Sequence, residues 1–285
     1  SIAIGDSAKT SAANATAVGT LAVANQLSSS AYGTEAAATG ERSMAFGAGS
    51  ISSNTSTTAM GTAAQATGVN ASAYGASANS AGENSMSFGA ASTATSKNDL
   101  AFGTSAFTSG PNASVFGTLG QATKGDATAI GFQAQALGID STAVGKGAIA
   151  NQSDAVALGS DAIASGLGST ALGDAAEATH DQSIAIGSGA STTRSDQLML
   201  GKAETEVTVA NLAHDDDGKY HLVTADPDGT LQQQTFADAG FDIDITGEGA
   251  LIKEGENVEV SSLEGPDEDG YHGGLVTISA DNAEL

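Results

Sequence analysis

Apolar and small residues alternate along this chain in short bursts that recur with a single period. The opening run Ser1-Ile2-Ala3-Ile4-Gly5 puts two large apolar residues on one side of an extended segment and alanine on the other. Residues 183–187 spell SIAIG again. Further copies lie between, each closing on a glycine: Gly5, Gly19, Gly33, Gly47, Gly61, Gly75, Gly89, Gly103, Gly117, Gly131, Gly145, Gly159, Gly173, Gly187 and Gly201, always 14 residues apart. The residue before each glycine is apolar and usually large: Ile4, Val18, Tyr32, Phe46, Met60, Tyr74, Phe88, Phe102, Phe116, Ile130, Val144, Leu158, Leu172, Ile186 and Leu200. One position earlier, alanine stands in twelve of fifteen repeats, with Ser87, Val115 and Met199 as the exceptions.

A helix pair needs roughly 30 residues, so a 14-residue period predicts a β-solenoid whose coils bury their faces by stacking. Each coil reads as two short strands and two turns. The second strand follows the glycine and two turn residues, as in Ala8-x-Thr10 and Ala22-x-Ala24. Fifteen coils stacked at the usual strand spacing of about 4.8 Å give a rod about 70 Å long. Asn or Asp recurs five residues before the glycine (Asn14, Asn70, Asn84, Asn98, Asn112, Asp126, Asp140, Asp154, Asp196), where its side chain bonds its own backbone and tolerates a turn conformation. The alanine column implies a narrow coil with two closely approaching sheets. Which face is interior stays open in the sequence. If the large residues face outward, they form an exposed apolar ladder beyond what a soluble monomer tolerates, and self-association would bury it. The aromatic stretch Tyr32, Phe46, Tyr74, Phe88, Phe102 and Phe116 occupies a position that is aliphatic elsewhere, which points to packing or subunit contact rather than a ligand stripe.

Composition narrows the class. The 285 residues contain no Cys, no Trp and three Pro, so disulfides and thiolate metal sites are excluded. No run approaches the roughly 18 apolar residues of a membrane helix, and no signal-peptide pattern precedes the first repeat. The chain is expected to be a mature or excised portion without export and anchoring parts. A formal charge of −24 argues against nucleic acid as partner. Residues 1–201 have a net charge of −7 and residues 202–285 a net charge of −17. That shift falls where the 14-residue register stops and predicts a domain boundary there.

The repeats SIAIGDSAKTSAAN, STAVGKGAIANQSD and SIAIGSGASTTRSD resemble the head of the YadA-like trimeric autotransporter adhesins. The resemblance covers residues 1 to about 201. It implies an all-β fold, a left-handed parallel β-roll assembled as a homotrimer. It also implies an extracellular position on the bacterial surface, outer-membrane anchoring through a segment not in this chain, and adhesion to host matrix or cells. Residues 202–285 lack the DAVNVxQL-like neck, heptad stalk and anchor barrel of that family. They are predicted to be an acidic, β-rich connector or stalk-type domain, with strands over 206–209, 220–224, 241–245, 257–260 and 275–278. The stretch GFDIDITGEGALIKEGENVEVSSLEG resembles the family's small Trp-ring domains, with Phe241 where a Trp is expected.

Candidate chemistry is sparse. His214-Asp215-Asp216-Asp217-Gly218 and Asp226-Pro227-Asp228-Gly229 offer carboxylates but end in Asp-Gly and read as hairpin turns, not calcium loops. His180, His214, His221 and His272 are scattered, and no nucleophile, P-loop, HExxH or dinucleotide fingerprint occurs. The chain is expected to be no enzyme and to hold no cofactor or metal. Two other trimeric or solenoid classes compete with the adhesin reading: a phage tail-fibre or spike segment, and an ice-binding solenoid, whose regular threonine array this sequence lacks.

Overall fold

The computed structural model describes residues 1–203 and 205, together with six short strands between 222 and 279. The chain divides by packing into two units, Ser1–Val207 and Thr208–Leu285. In the first, each coil contributes a three-residue strand ending just before the repeat glycine, as in Ile2–Ile4. A two-residue strand follows the next turn, as in Lys9–Thr10. The three-residue strands stack into a 15-stranded sheet and the two-residue strands into a 13-stranded sheet. Pairing is parallel with a register shift of one repeat, Ile2 opposite Thr16 and Lys9 opposite Val23. No helix occurs among the described residues. The coil of Gly187 keeps only a bridge between Glu177 and Ser191 in place of a regular second strand, and none follows Leu198–Leu200 among the described residues.

The coil interior is built from the small residues. Each coil turns four side chains inward: the residues four and two before the glycine, and three and five after it. In one coil these are Ala71, Ala73, Ala78 and Ser80, all fully buried. The interior contains essentially Ala, Ser and Thr, so the two sheets approach closely and a methyl group is the largest change it absorbs without strain. Inward hydroxyls are mostly satisfied locally, Ser87 Oγ being the exception among the described residues. Ser43 Oγ donates to the Gly40 carbonyl at 2.7 Å, Ser85 Oγ to Gly82 at 2.8 Å, and Ser52 Oγ to Thr57 Oγ1 at 2.7 Å. The large residue before each glycine points the other way, which answers the question of faces that the sequence leaves open.

Both turns of the coil share one geometry. After the glycine, the Ala22 amide donates to the Gly19 carbonyl across Thr20-Leu21. After the short strand, Ser29 donates to Gln26 across Leu27-Ser28. The third residue of each turn is left-handed, with φ of 59° at Leu21 and 57° at Ser28. Turn amides still pair upward through the stack, Leu21 to Asp6 at 2.9 Å and Ser28 to Ala13 at 3.1 Å, so the ladder continues around the corners. The Asn and Asp residues five before the glycine occupy the second of these left-handed positions, in keeping with their low cost there. Their side chains differ from expectation. From Asn70 to Asp126 they bond one another across coils rather than their own backbone: each Nδ2 donates to the next Oδ1, at 3.0, 3.2, 2.9 and 3.1 Å. Stacking at one pitch brings these side chains into register.

One coil departs from the alanine rule and corrects itself. Val115, the largest side chain of the interior, takes the place of alanine two before Gly117, and Gly120 replaces the Ala or Ser found three after the glycine elsewhere. A Cβ on residue 120 would lie 2.6 Å from Val115 Cγ1. Gly120→Ala should therefore destabilise the solenoid by about 1–3 kcal/mol. Val115→Ala in the same chain should restore it to near the parent. A double-mutant cycle in urea checks this, and additive effects of the two changes would refute the pairing.

In the second unit the described strands are antiparallel pairs: Leu222–Ala225 with Leu231–Gln234, Ile252–Lys253 with Tyr271–His272, and Glu259–Ser262 with Val276–Ser279. Strands expected over 220–224, 257–260 and 275–278 thus appear displaced by one or two residues. Those over 206–209 and 241–245, with Phe241, lie outside the described residues. Ala225 pairs with Leu231; the stretches Asp226–Gly229 and His214–Gly218, expected as hairpin turns, lie outside the described residues.

Candidate interaction surface

The outward face of the 15-stranded sheet is the most distinctive surface of the solenoid. Because side chains alternate along a strand, burying the middle residue of each three-residue strand puts its two neighbours outside. The residue before the glycine then forms a continuous column from Ile4 to Leu200. Val18, Tyr32, Tyr74 and Val144 are half-buried in it and the others are exposed. Strand pairing sets each of them directly on the next, Tyr74 on Phe88 and Phe88 on Phe102. A parallel column two residues earlier is mixed: Met44, Met86, Leu100, Val156 and Ile184 alternate with Ser and Thr.

The aromatic part of the ladder is ordered by ring contacts. Tyr32 and Phe46 lie 4.9 Å apart by centroid, Tyr74 and Phe88 5.7 Å, Phe88 and Phe102 4.7 Å with planes 4° apart, and Phe102 and Phe116 6.1 Å. Each contact covers part of a ring, yet Phe46, Phe88, Phe102 and Phe116 remain 43–47% exposed. These residues are not interior packing residues in the single chain. The repeat glycines sit at the corner beside the ladder and turn the chain away from it.

Groups with proton or metal chemistry are few. His180 Nδ1 is 3.1 Å from Thr179 Oγ1 on the surface, His214 and His221 lie outside the described residues, and His272 is placed only as part of a strand. No group of three His, Asp or Glu residues able to hold a metal ion occurs among the described residues. The exception to a neutral interior is Asp99, which replaces the Ser or Ala usual four before the glycine. It is buried, with Oδ2 accepting from the Ser96 amide at 2.8 Å and Oδ1 from the Ala113 amide at 3.3 Å. Burial raises its pKa above the ordinary carboxylate value of 3.8, against the lowering pull of these bonds and of Thr108.

A raised folded-state pKa means that the native solenoid holds this proton more tightly than the unfolded chain. Asp99 therefore costs stability at neutral pH, and the cost fades as pH falls through the raised value toward 3.8. Serine at this position elsewhere both accepts and donates, as Ser29 does with the Gln26 amide at 3.2 Å and the Gln26 carbonyl at 2.7 Å. Asp99→Ser should stabilise the solenoid by about 1–2 kcal/mol at pH 7, with the gain shrinking toward pH 4. Paired urea titrations at the two pH values check it, and a gain that grows on acidification would contradict the assignment.

The sequence singled out the ladder residues and the glycines. It missed Asp99, whose signal is its break in the Ser/Ala column, and it missed the left-handed position two after each glycine. Leu21, Glu35 and Ala63 stand at that position without any turn signature.

Residues 1–22, 24–50, 52–78, 80–106, 94–119, 122–148, 136–162 and 164–190 match the profile of the YadA head domain repeat, written as two copies. The chain is also similar to the crystal structure of the collagen-binding domain of the Yersinia adhesin YadA. Identity is 22%, over 72% of this chain and 84% of that one, with a TM-score of 0.33. No curated protein matches the chain.

Proposed function

Since this chain belongs to the YadA head repeat family, an adhesin family, we propose that residues 1–201 are the head of a bacterial surface adhesin. Three copies pack side by side along their apolar ladders and present the remaining faces to matrix proteins or cells. Residues 202–285 would connect the head to an outer-membrane anchor. The observation that carries the trimer is the ladder itself: a column of fifteen apolar residues on the outside of a coil whose interior is already complete with Ala, Ser and Thr. Such a column is not needed for the coil to fold and exceeds the apolar surface that soluble monomers expose. Association would remove it from water.

Adhesion then follows from repetition rather than from a pocket. A rod of near-identical coils in three copies offers many equivalent weak contacts, and their combination multiplies the affinity of each. The test is retention of the purified chain on surfaces coated with collagen, fibronectin or laminin and on cultured cells. The reading expects washing-resistant binding to at least one of these, lost when assembly is disrupted. A chain retained on none of them would overturn it.

A further inference from the structure

The two sheets turn opposite faces outward, and the face opposite the ladder has its own chemistry. On the 13-stranded sheet the outward residue of successive strands runs in register as Gln65, Asn79, Thr93, Phe107, Gln121 and Gln135. This strip holds amides and a hydroxyl around one aromatic ring and no charged group. Its continuations, Ile51 and Ile149, are uncharged as well, and charges enter the column only near its ends, at Lys9 and Glu177.

Phe107 is the anomaly. It is 37% exposed and, among the described residues, stacks on no other ring, unlike the aromatics of the ladder. Its in-register neighbours are Thr93 and Gln121. The coil does not require it, because the same position is Ala37, Thr93 or Gln121 elsewhere and the inward residue of this strand is Thr108. A lone ring among amides has the make-up of a surface that stacks one ligand face and hydrogen-bonds its edge groups.

We propose that this strip binds a neutral polysaccharide strand lying along the rod. The Phe107 ring takes the C–H face of one pyranose. The amides of Asn79, Gln121 and Gln135 and the hydroxyl of Thr93, each both donor and acceptor, meet sugar hydroxyls at intervals of about 4.8 Å. A repeating polymer suits this surface because successive sugars meet equivalent positions on successive coils. The charge pattern selects the class: the strip holds no Lys or Arg, so the carboxylates of an anionic glycan would meet no counter-charge along it, whereas a neutral polyol needs none. The proposal deepens the adhesin reading by naming a ligand class, and it leaves the ladder free for assembly.

Native gels cast with hydroxyethyl cellulose, dextran or hyaluronate test it, using the whole 285-residue chain. A neutral polymer should retard the protein and hyaluronate should not. Phe107→Ala should weaken retardation at least tenfold while the sedimentation mass and the urea midpoint stay unchanged, and Ile163→Ala, outside the strip, should bind as the parent does. Absence of retardation by either neutral polymer, equal retardation of Phe107→Ala, or retardation by hyaluronate alone would each overturn the proposal. Attachment of the Phe107→Ala chain to matrix proteins reports on the adhesin reading separately.

Discussion

Alanine at Gly47 is expected to cost the head about 3–5 kcal/mol, whereas alanine at Gly49, two residues on, should cost only about 1 kcal/mol. The two glycines belong to the same turn but do different work. Gly47 has φ of 136°, a conformation closed to residues with a Cβ, and an added Cβ would be driven into the Gly61 carbonyl of the next coil. Gly49 has φ of 63°, the left-handed region where Leu21 and Ala63 already stand in other coils, and nothing lies within 4 Å of its missing Cβ. The glycine of the 14-residue repeat is thus required twice over, by its dihedral and by the close approach of stacked corners. Urea unfolding of the two variants at one protein concentration separates the cases. Equal losses at both positions would show that the repeat glycine is a habit of the sequence and not a condition of stacking.

The second large effect is on assembly. Phe102 stacks on Phe88 at 4.7 Å and is 44% exposed, so it belongs to the surface that three copies would share. Phe102→Asp removes the part of the ring that assembly would bury, about 1 kcal/mol per protomer and so about 3 kcal/mol per trimer. It also sets three carboxylates against one another in a water-poor interface. The concentration for half-assembly should rise more than about fiftyfold. The interior is untouched, because that strand buries Ala101 and not Phe102, so the β-sheet circular dichroism of the dissociated chain should persist. A Phe102→Asp chain that assembles like the parent would remove the ladder from the interface.

Much of this architecture can be read from the letters. The period fixes the coil, the glycine fixes the corner, and Asn or Asp five before it marks a left-handed residue. What the alternation leaves open is its own sign, because Ile2-Ala3-Ile4 fits an interior of either kind. Packing decides it: two sheets joined by short turns come too close for Ile or Phe, and Ala, Ser and Thr fill the space between, with Val115 and Asp99 as the larger exceptions. The left-handed residue two after each glycine is silent in sequence because stacking imposes it on whatever stands there, Leu21 and Glu35 included. The pairing of Val115 with Gly120 was legible, since both break their columns in the same coil, but its meaning needs the knowledge that both columns face inward. The strip around Phe107 is similar. It is a column only once the outward position of the short strand is known.

The most direct measurement is sedimentation equilibrium of the unmodified chain across a wide concentration range. Burial of the ladder between three copies predicts a single species of about 83 kDa, three times the 27.7 kDa of the chain. Because each copy carries a formal charge of −24, the assembly should strengthen as salt screens the repulsion. A folded species that stays at 27.7 kDa at every concentration and salt would leave fifteen apolar residues in water and contradict the account.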